Sequence, residues 1–176
     1  MRRFLLVDDE INILQALQRT LRQKFRDEEF LTELHTDPRQ ALQRINEVAF
    51  DFVISDFHMP QMNGVDFLEQ VRDAQPDAVR LMLSASSDFD TIMNAINRAE
   101  VFRYISKPWT ATELEEIIRI SLERRDKVME DRRLADEVRA QRGELTPQEL
   151  EARRLEEQEP GIMKVNWGPD GSVMLD

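Results

Sequence analysis

Acidic side chains that directly follow short apolar segments are the most chemically suggestive feature of this sequence. Asp8 and Asp9 follow one such segment, and Asp56 follows another much further along the chain. Carboxylates that meet in one place repel each other, and a bound cation is the usual way to make the arrangement tolerable. The chain has no cysteine, and hard carboxylate oxygens suit Mg²⁺, which keeps several waters and needs few protein ligands.

Two further side chains, Ser84 and Lys107, also follow apolar segments. A carboxylate can act as a nucleophile toward phosphorus, and the developing charge could be neutralised by a metal, the Lys107 ammonium and the Ser84 hydroxyl. Each residue alone has an ordinary interpretation: Asp9 as a helix cap, Asp56 as a turn residue, Ser84 as a structural hydroxyl, and Lys107-Pro108 as a loop. Their joint occurrence favours a chemical role.

The elements that must position these residues alternate between strands and helices. Short apolar segments predict five strands, at residues 3–7, 30–35, 50–55, 79–83 and 101–105. Helical spacing and capping signals predict helices over residues 11–25, 38–48 (capped by Thr36), 65–74 and 89–99, and a long helix after the Thr110–Glu113 capping box. This alternation predicts an α/β fold with an open parallel sheet and helices on both faces.

Chain length and right-handed crossovers favour the flavodoxin-like, doubly wound, five-stranded sheet with strand order 2-1-3-4-5. In such sheets ligands bind beyond the carboxyl ends of the strands. Asp8 and Asp9 would follow the first strand, Asp56 the third, Ser84 the fourth and Lys107 the fifth. The predicted fold therefore brings the candidate residues to one edge of the sheet.

Several segments together resemble the receiver domains of two-component response regulators. The segments are Val7-Asp8-Asp9-Glu10, Val53-Ile54-Ser55-Asp56-Phe57-His58-Met59-Pro60, Asn63-Gly64, Leu83-Ser84-Ala85 and Tyr104-Ile105-Ser106-Lys107-Pro108. The resemblance covers about residues 1–125. A more local similarity, over Ala95–Trp109, is to receivers attached to cyclic-di-GMP phosphodiesterases of the HD-GYP class.

The resemblance implies a metal and phosphorylation site. Asp56 would be the phosphoacceptor and also a metal ligand, Asp9 would bind Mg²⁺ directly, and Asp8 would act on the metal through water. The backbone carbonyl of His58 would complete the protein ligands.

The resemblance also implies how the phosphoryl group would be sensed. Ser84 and Lys107 would bind it, and Tyr104 would be the switch aromatic that turns inward as the Ser84 hydroxyl moves toward the phosphate. The donor would be a sensor histidine kinase or a phosphotransfer protein, and the changed surface would be recognised by a downstream protein. Beyond its own phosphorylation and autodephosphorylation, no enzyme activity is implied.

Alternative functions differ in what they require of the sequence. The chain could be the receiver part of a longer regulator with a cyclic-di-GMP phosphodiesterase or other output domain. A phosphatase of the haloacid dehalogenase type would need a second Asp two residues after the nucleophile, where this chain has His58. A phosphate-independent receiver usually lacks parts of the acidic site, whereas this chain retains them.

Composition narrows the choice of function. The 176 residues carry a formal net charge of −11, which disfavours a protein that coats nucleic acid. There is no apolar run long enough for a membrane span and no convincing export signal, so the cytoplasm is the expected location. No helix-turn-helix fits after residue 125, so direct DNA binding is not expected.

The sequence after the predicted receiver (residues 1–125) divides into two parts. Residues 126–161 predict a charged helical extension, interrupted near Gly143 and restarted at Thr146-Pro147, with an expected Glu149–Arg153 pair. Residues 162–176 predict a β-hairpin around the turn signal of residues 168–171. These two parts are expected to form a docking module or a homodimer contact rather than a mobile acidic tail.

Overall fold

The computed structural model describes residues 1–26, 30–85, 93 and 96–158. It contains one five-stranded, fully parallel sheet with the strand order β2-β1-β3-β4-β5. The strands are β1 (Arg2–Val7), β2 (Phe30–His35), β3 (Phe52–Asp56), β4 (Val79–Ser84) and β5 (Arg103–Ser106). The predicted strand order is confirmed.

Helices cover both faces of this sheet. They are α1 (Ile11–Lys24), α2 (Pro38–Glu47), α3 (Gly64–Ala74), α4 (Ala111–Gln141) and α5 (Pro147–Gln158). Leucines of α1 and the apolar side chains of α4 pack with Phe4 and Phe52 on one face. Apolar side chains of α2 and α3 pack with Leu5 and Val53 on the other. Because successive strand residues point to opposite faces, each buried strand supplies both cores, as a doubly wound sheet requires.

Two local predictions differ from the structure. The side chain that caps α2 is Asp37, which accepts a hydrogen bond from the Arg39 N–H at 2.8 Å, and not Thr36. Pro38 is the first helical residue, and this places the cap position at Asp37. The fifth strand begins at Arg103, two residues later than the apolar pattern indicated.

Two helices, α4 and α5, occupy most of the described part of the chain after residue 110. Helix α4 continues without a break across residue 125, and a left-handed Gly143 with φ of 73° follows its end. The Thr146 hydroxyl and the Glu149 side chain cap the start of α5 reciprocally. The pKa of Glu149 is lowered mainly by hydrogen bonds from Thr146 and less by Arg153, its expected partner, while the Arg153 guanidinium contacts the Asp136 carboxylate of α4 at 2.6 Å. This contact holds α5 against α4.

The extension is fixed to the amino-terminal end of the sheet by ion pairs. Arg125 lies 2.8 Å from Asp51, and Arg132 pairs with Asp77 at 2.5 Å. The part of α4 from Arg125 to Arg132 is therefore held against the loops that precede β3 and β4.

Some predictions fall outside the described residues. The predicted helix at residues 89–99 is described only at residue 93 and at residues 96–99, which are helical. The predicted hairpin at residues 162–176 lies outside them altogether. Among the described residues, no helix combines the length and apolarity needed to cross a membrane.

Candidate functional site

The carboxyl ends of four strands bring the predicted site residues to one rim of the sheet. Asp56 ends β3 and Ser84 ends β4, while Asp8 and Lys107 directly follow β1 and β5. Strand pairing sets this arrangement, because β3 lies between β1 and β4. The predicted placement of these distant polar residues at one edge of the sheet is therefore confirmed.

Three carboxylates converge at this rim. One oxygen from each of Asp8, Asp9 and Asp56 lies within 4.8 Å of the others. Asp8 is 0% exposed and Asp56 is 5% exposed, whereas Asp9 faces solvent. Burial raises the pKa of the Asp8 carboxyl, against the opposing effect of its hydrogen bonds to Lys107 and to the Glu10 N–H.

Lys107 is the cation at the centre of the cluster. Its Nζ lies 2.8 Å from Asp8 Oδ2 and 2.6 Å from Asp56 Oδ1. Burial lowers the pKa of Lys107, but its hydrogen bonds to Asp56 and Asp8 outweigh that effect and leave the pKa raised. Three carboxylates and one ammonium give a formal charge of −3 + 1 = −2 at this point. One divalent cation would balance that charge.

The donor set fits magnesium. All the candidate side-chain ligands are carboxylates that share one small space, one of them is open to solvent, and the local charge lacks balance. Mg²⁺ prefers oxygen ligands, keeps several waters and needs only one or two protein carboxylates. Asp8, Asp9 and Asp56 are the side chains that could hold it.

The loop after β3 holds the second oxygen of Asp56. The backbone N–H of His58 donates to Asp56 Oδ2 at 2.9 Å, so the contact of His58 with the site is through its main chain. The imidazole is exposed and packs edge-on against Phe57. The role of the His58 carbonyl as a ligand stays a prediction.

Gly64 lets this loop pass close to Asp56. Its N–H donates to the Phe57 carbonyl at 2.8 Å, and a Cβ at this position would lie 2.1 Å from the Asp56 carbonyl oxygen. No side chain fits there without moving backbone. The glycine is therefore required by a close approach of main chain to main chain.

Ser84 and Tyr104 are joined directly. The Tyr104 hydroxyl donates to the Ser84 carbonyl oxygen at 3.0 Å, and the backbone N–H of Lys107 donates to the same oxygen at 2.9 Å. The Tyr104 ring is partly buried against the core formed with α2 and α3. Ser84 itself is 1% exposed. The switch residues predicted from the sequence are thus neighbours across β4 and β5.

One residue beside the site was missed by the sequence reasoning. Ser55 is fully buried, and its hydroxyl donates to the Asp56 carbonyl at 2.9 Å, which ties the end of β3 to its own backbone. The available signal was a hydroxyl inside an otherwise apolar strand segment. A buried hydroxyl needs a hydrogen-bond partner, and here the partner is the residue that carries the site.

Comparisons with known proteins identify the family. The family model of the response regulator receiver domain matches residues 4–119, and the chain belongs to this family. Phosphorylation and Mg²⁺ binding at acidic residues are general properties of the family, which is not itself a known catalytic domain. The assignment therefore supports a two-component response regulator over a haloacid dehalogenase phosphatase.

Individual relatives agree with this assignment. The chain is 36% identical over 119 residues to the hydrogenase transcriptional regulatory protein HoxA of Cupriavidus necator, covering 68% of this chain and 24% of that protein. It is 33% identical to the chemotaxis protein CheY of Pseudomonas aeruginosa, covering 69% of this chain and 97% of that protein. The matched region thus makes up about a quarter of the length of the HoxA proteins but nearly the whole length of CheY.

A solved structure is similar in the same region. It is the signal receiver domain of an HD domain-containing protein from Pseudomonas fluorescens Pf-5, with 35% identity and a TM-score of 0.65. The similarity covers 72% of this chain and 98% of that one. It agrees with the resemblance of Ala95–Trp109 to receivers attached to HD-type domains.

Proposed function

We propose that this response regulator receives its phosphoryl group on Asp56. The observation that carries the proposal is the placement of the Asp56 carboxylate between the Lys107 ammonium, at 2.6 Å, and the His58 N–H, at 2.9 Å. Both donors could stabilise charge on an attached phosphoryl group. Asp8 is a poorer candidate, because its side chain is fully buried, whereas that of Asp56 keeps some exposure to solvent.

The transfer step requires few protein groups. An Asp56 carboxylate oxygen attacks the phosphorus of a phosphohistidine on a sensor kinase or phosphotransfer protein. The new P–O bond forms as the P–N bond breaks, and the donor imidazole leaves. Lys107 and the Ser84 hydroxyl are the groups of this chain proposed to contact the phosphoryl oxygens.

Asp8, Asp9, Asp56 and the His58 carbonyl are the proposed magnesium ligands. When bound, Mg²⁺ supplies positive charge that neutralises phosphoryl oxygens and relieves repulsion among the carboxylates. Asp9 is proposed as the direct ligand because it is exposed at the mouth of the cluster. Asp8 is proposed to act through water, as the resemblance to receivers implies, and its fully buried side chain has no face open to solvent but contacts Lys107.

Mass spectrometry after incubation with acetyl phosphate and Mg²⁺ tests the phosphoacceptor. Labelling should be confined to Asp56 and should fall to background in Asp56→Asn. The exposed Asp131 of α4 provides a matched control, and Asp131→Asn should be labelled at the wild-type rate. Equal labelling of Asp56→Asn and wild type would contradict the proposal.

The proposed output is a change in the surface formed by residues 89–106 and α4. If the Ser84 hydroxyl is recruited toward phosphate, it vacates space beside Tyr104, whose hydroxyl already contacts the Ser84 carbonyl. The two states then differ in phosphate contacts, and phosphorylation shifts their populations. Receivers of this family interact with histidine kinases and output domains and can dimerise.

Amide spectra test this switch. Beryllofluoride, a phosphoryl mimic, should shift resonances within residues 89–106 as well as those of the site loops, and Tyr104→Phe should reduce the remote shifts. Shifts restricted to the loops around Asp56 would refute the switch.

The proposal also includes a cytoplasmic location, which cell fractionation tests. It further includes a protein target rather than DNA, which a DNA-binding assay tests.

A further inference from the structure

A groove crosses the amino-terminal end of the sheet, opposite the carboxylate rim. It consists of two adjoining clefts of about 360 and 530 Å³. They share the loop of residues 76–78 and the side chains of Arg125 and Met129. A groove of this size can hold several side chains.

The larger cleft has an apolar wall that is open to solvent. Ile96 and Val128 line it and are 39% and 47% exposed, and they converge there with Phe102 and the buried Val101. Single exposed aliphatic side chains are ordinary on protein surfaces, whereas several that converge in one groove mark a binding surface. The Arg124 guanidinium lies over the Phe102 ring, 5.3 Å from its centroid, and adds positive charge at the edge of this wall.

Helix α5 leads the chain toward this groove. Arg153 of α5 lies 2.6 Å from Asp136 of α4, and Glu156, two residues before the end of α5, lines the smaller cleft. The helix therefore runs back along α4 toward the sheet and ends beside the groove. Residues 159–176 continue directly from this point.

The composition of residues 159–176 suits such a groove. They include seven large apolar side chains, Ile162, Met163, Val165, Trp167, Val173, Met174 and Leu175. Three acids and one lysine give a net charge of −3 + 1 = −2, whereas the larger cleft, with Arg80, Arg124 and Arg125 against Asp77 and Glu100, has a formal charge of +3 − 2 = +1. An extended chain spans at most about 3.5 Å per residue, so residue 162 can reach about 14 Å from residue 158 and Trp167 about 32 Å.

We propose that residues 159–176 bind in this groove on the same chain, with their apolar side chains against Ile96, Phe102 and Val128. An isolated two-stranded hairpin is marginal in water, so these side chains gain stability only by burial against another surface. Their own chain delivers them to an apolar surface at its end, which gives an intramolecular contact a high effective concentration. Any partner that needs Ile96, Phe102 or Val128 must then displace the segment.

Hydrogen exchange of the full chain, followed by mass spectrometry, tests the proposal. In the wild type, amides of residues 162–175 should exchange more slowly than random coil by on the order of tenfold or more. The Val128→Asp/Ile96→Asp variant should return them to random-coil rates. Leu134→Asp provides the matched control, because Leu134 is 46% exposed on the same helix and does not line either cleft. Its tail protection should equal that of the wild type.

Measurement at two protein concentrations identifies the occupant. Protection and a monomeric mass by light scattering that are both unchanged over a hundredfold dilution support binding within one chain. Protection that disappears on dilution together with a dimeric mass would overturn the proposal in favour of a second copy. Random-coil exchange in the wild type, or protection that survives Val128→Asp/Ile96→Asp, would also overturn it.

A variant in residues 159–176 themselves guards against loss of folding in the groove variants. Trp167→Ser leaves every described side chain unchanged, and it should shift the amide resonances of Asp77, Ala78 and Val128 but not those of Asp56 or Leu134. Unchanged resonances at the groove would contradict the proposal even if the groove variants failed to fold.

Discussion

The carboxylate rim and the α4–α5 extension are both rich in charged residues, but the charges are arranged differently. Among the described residues of the rim, three carboxylates face one ammonium group, and Asp8 and Asp56 are buried. Along the extension, acids and bases alternate and pair at the surface, as Arg133 does with Glu130 and Glu137. Exposed pairs of this kind contribute little to stability, whereas buried, unbalanced charge costs stability.

This difference separates sites from solvated surfaces. A protein keeps buried, unbalanced carboxylates where a ligand supplies the missing charge, and the rim fits that description. Asp136 shows that burial alone is not sufficient. It is 5% exposed, but Arg153 and Arg139 lie 2.6 and 3.3 Å from it, so its charge is balanced within the protein. We interpret Asp136 as a structural link between the two helices.

The largest expected effect compares one glycine from each region. Gly64→Ala should lower the free energy of unfolding by about 3 kcal/mol or more, because the new methyl group would collide with the Asp56 carbonyl. Gly143→Ala should cost only about 1–2 kcal/mol, since no atom of the described residues lies within 4 Å of the added Cβ and the cost is that of a left-handed backbone. Urea denaturation measures both, and equal losses would show that the loop at the rim is not tightly packed.

Removal of a ligand carboxylate should give the next largest effect. Asp9→Ala should weaken Mg²⁺ binding on the order of tenfold or more, because the affinity of such sites depends on the number of charged ligands. Asp8→Ala should weaken it less, and Asp131→Ala on α4 should not change it. Calorimetric titration of Mg²⁺ or Mn²⁺ gives the affinities. An unchanged affinity in Asp9→Ala would remove Asp9 from the site.

The smallest effect tests charge balance by making the same substitution in both regions. In metal-free buffer near neutral pH, Asp8→Asn should raise the unfolding free energy by about 1 kcal/mol, since functional residues are often kept at a cost in stability. Asp136→Asn should lower it by a similar amount, because it weakens charged hydrogen bonds to Arg153. Thermal unfolding measures both. Two losses of equal size would mean that Lys107 fully balances the rim.

The pH dependence of the Asp8→Asn gain follows from the raised pKa of the carboxyl. The folded state then holds the Asp8 proton to higher pH than the unfolded state, so this group favours unfolding above its folded pKa. As the pH falls through that pKa, wild-type Asp8 becomes neutral and the advantage of Asn should disappear. A gain that grew toward acid pH would contradict the direction of the shift.

Local sequence patterns predicted most of the strands and helices. Apolar segments such as that ending at Ser55 and Asp56 marked the strands, and helix signals such as Thr146-Pro147 marked a helix start that the structure has. The errors were also local. Thr36 and Asp37 can both cap a helix, and only the position of Pro38 as the first helical residue decides between them. Strand β5 starts at Arg103 because that residue is the first to pair with β4, at Leu81. The residues around Arg103 do not indicate this pairing.

The sequence by itself determined which polar residues follow which strands, because strand ends are marked by residues next to each other in the chain. It also determined the chemistry available at the rim, since carboxylate, hydroxyl and ammonium groups are identified by residue type alone. Only the tertiary structure decided their partners. Lys107 Nζ lies between Asp8 and Asp56, and Arg153 of α5 contacts Asp136 of α4. The physical reason is that an ion pair depends on the distance between side chains, and the packing of the helices and strands sets that distance between residues far apart in sequence.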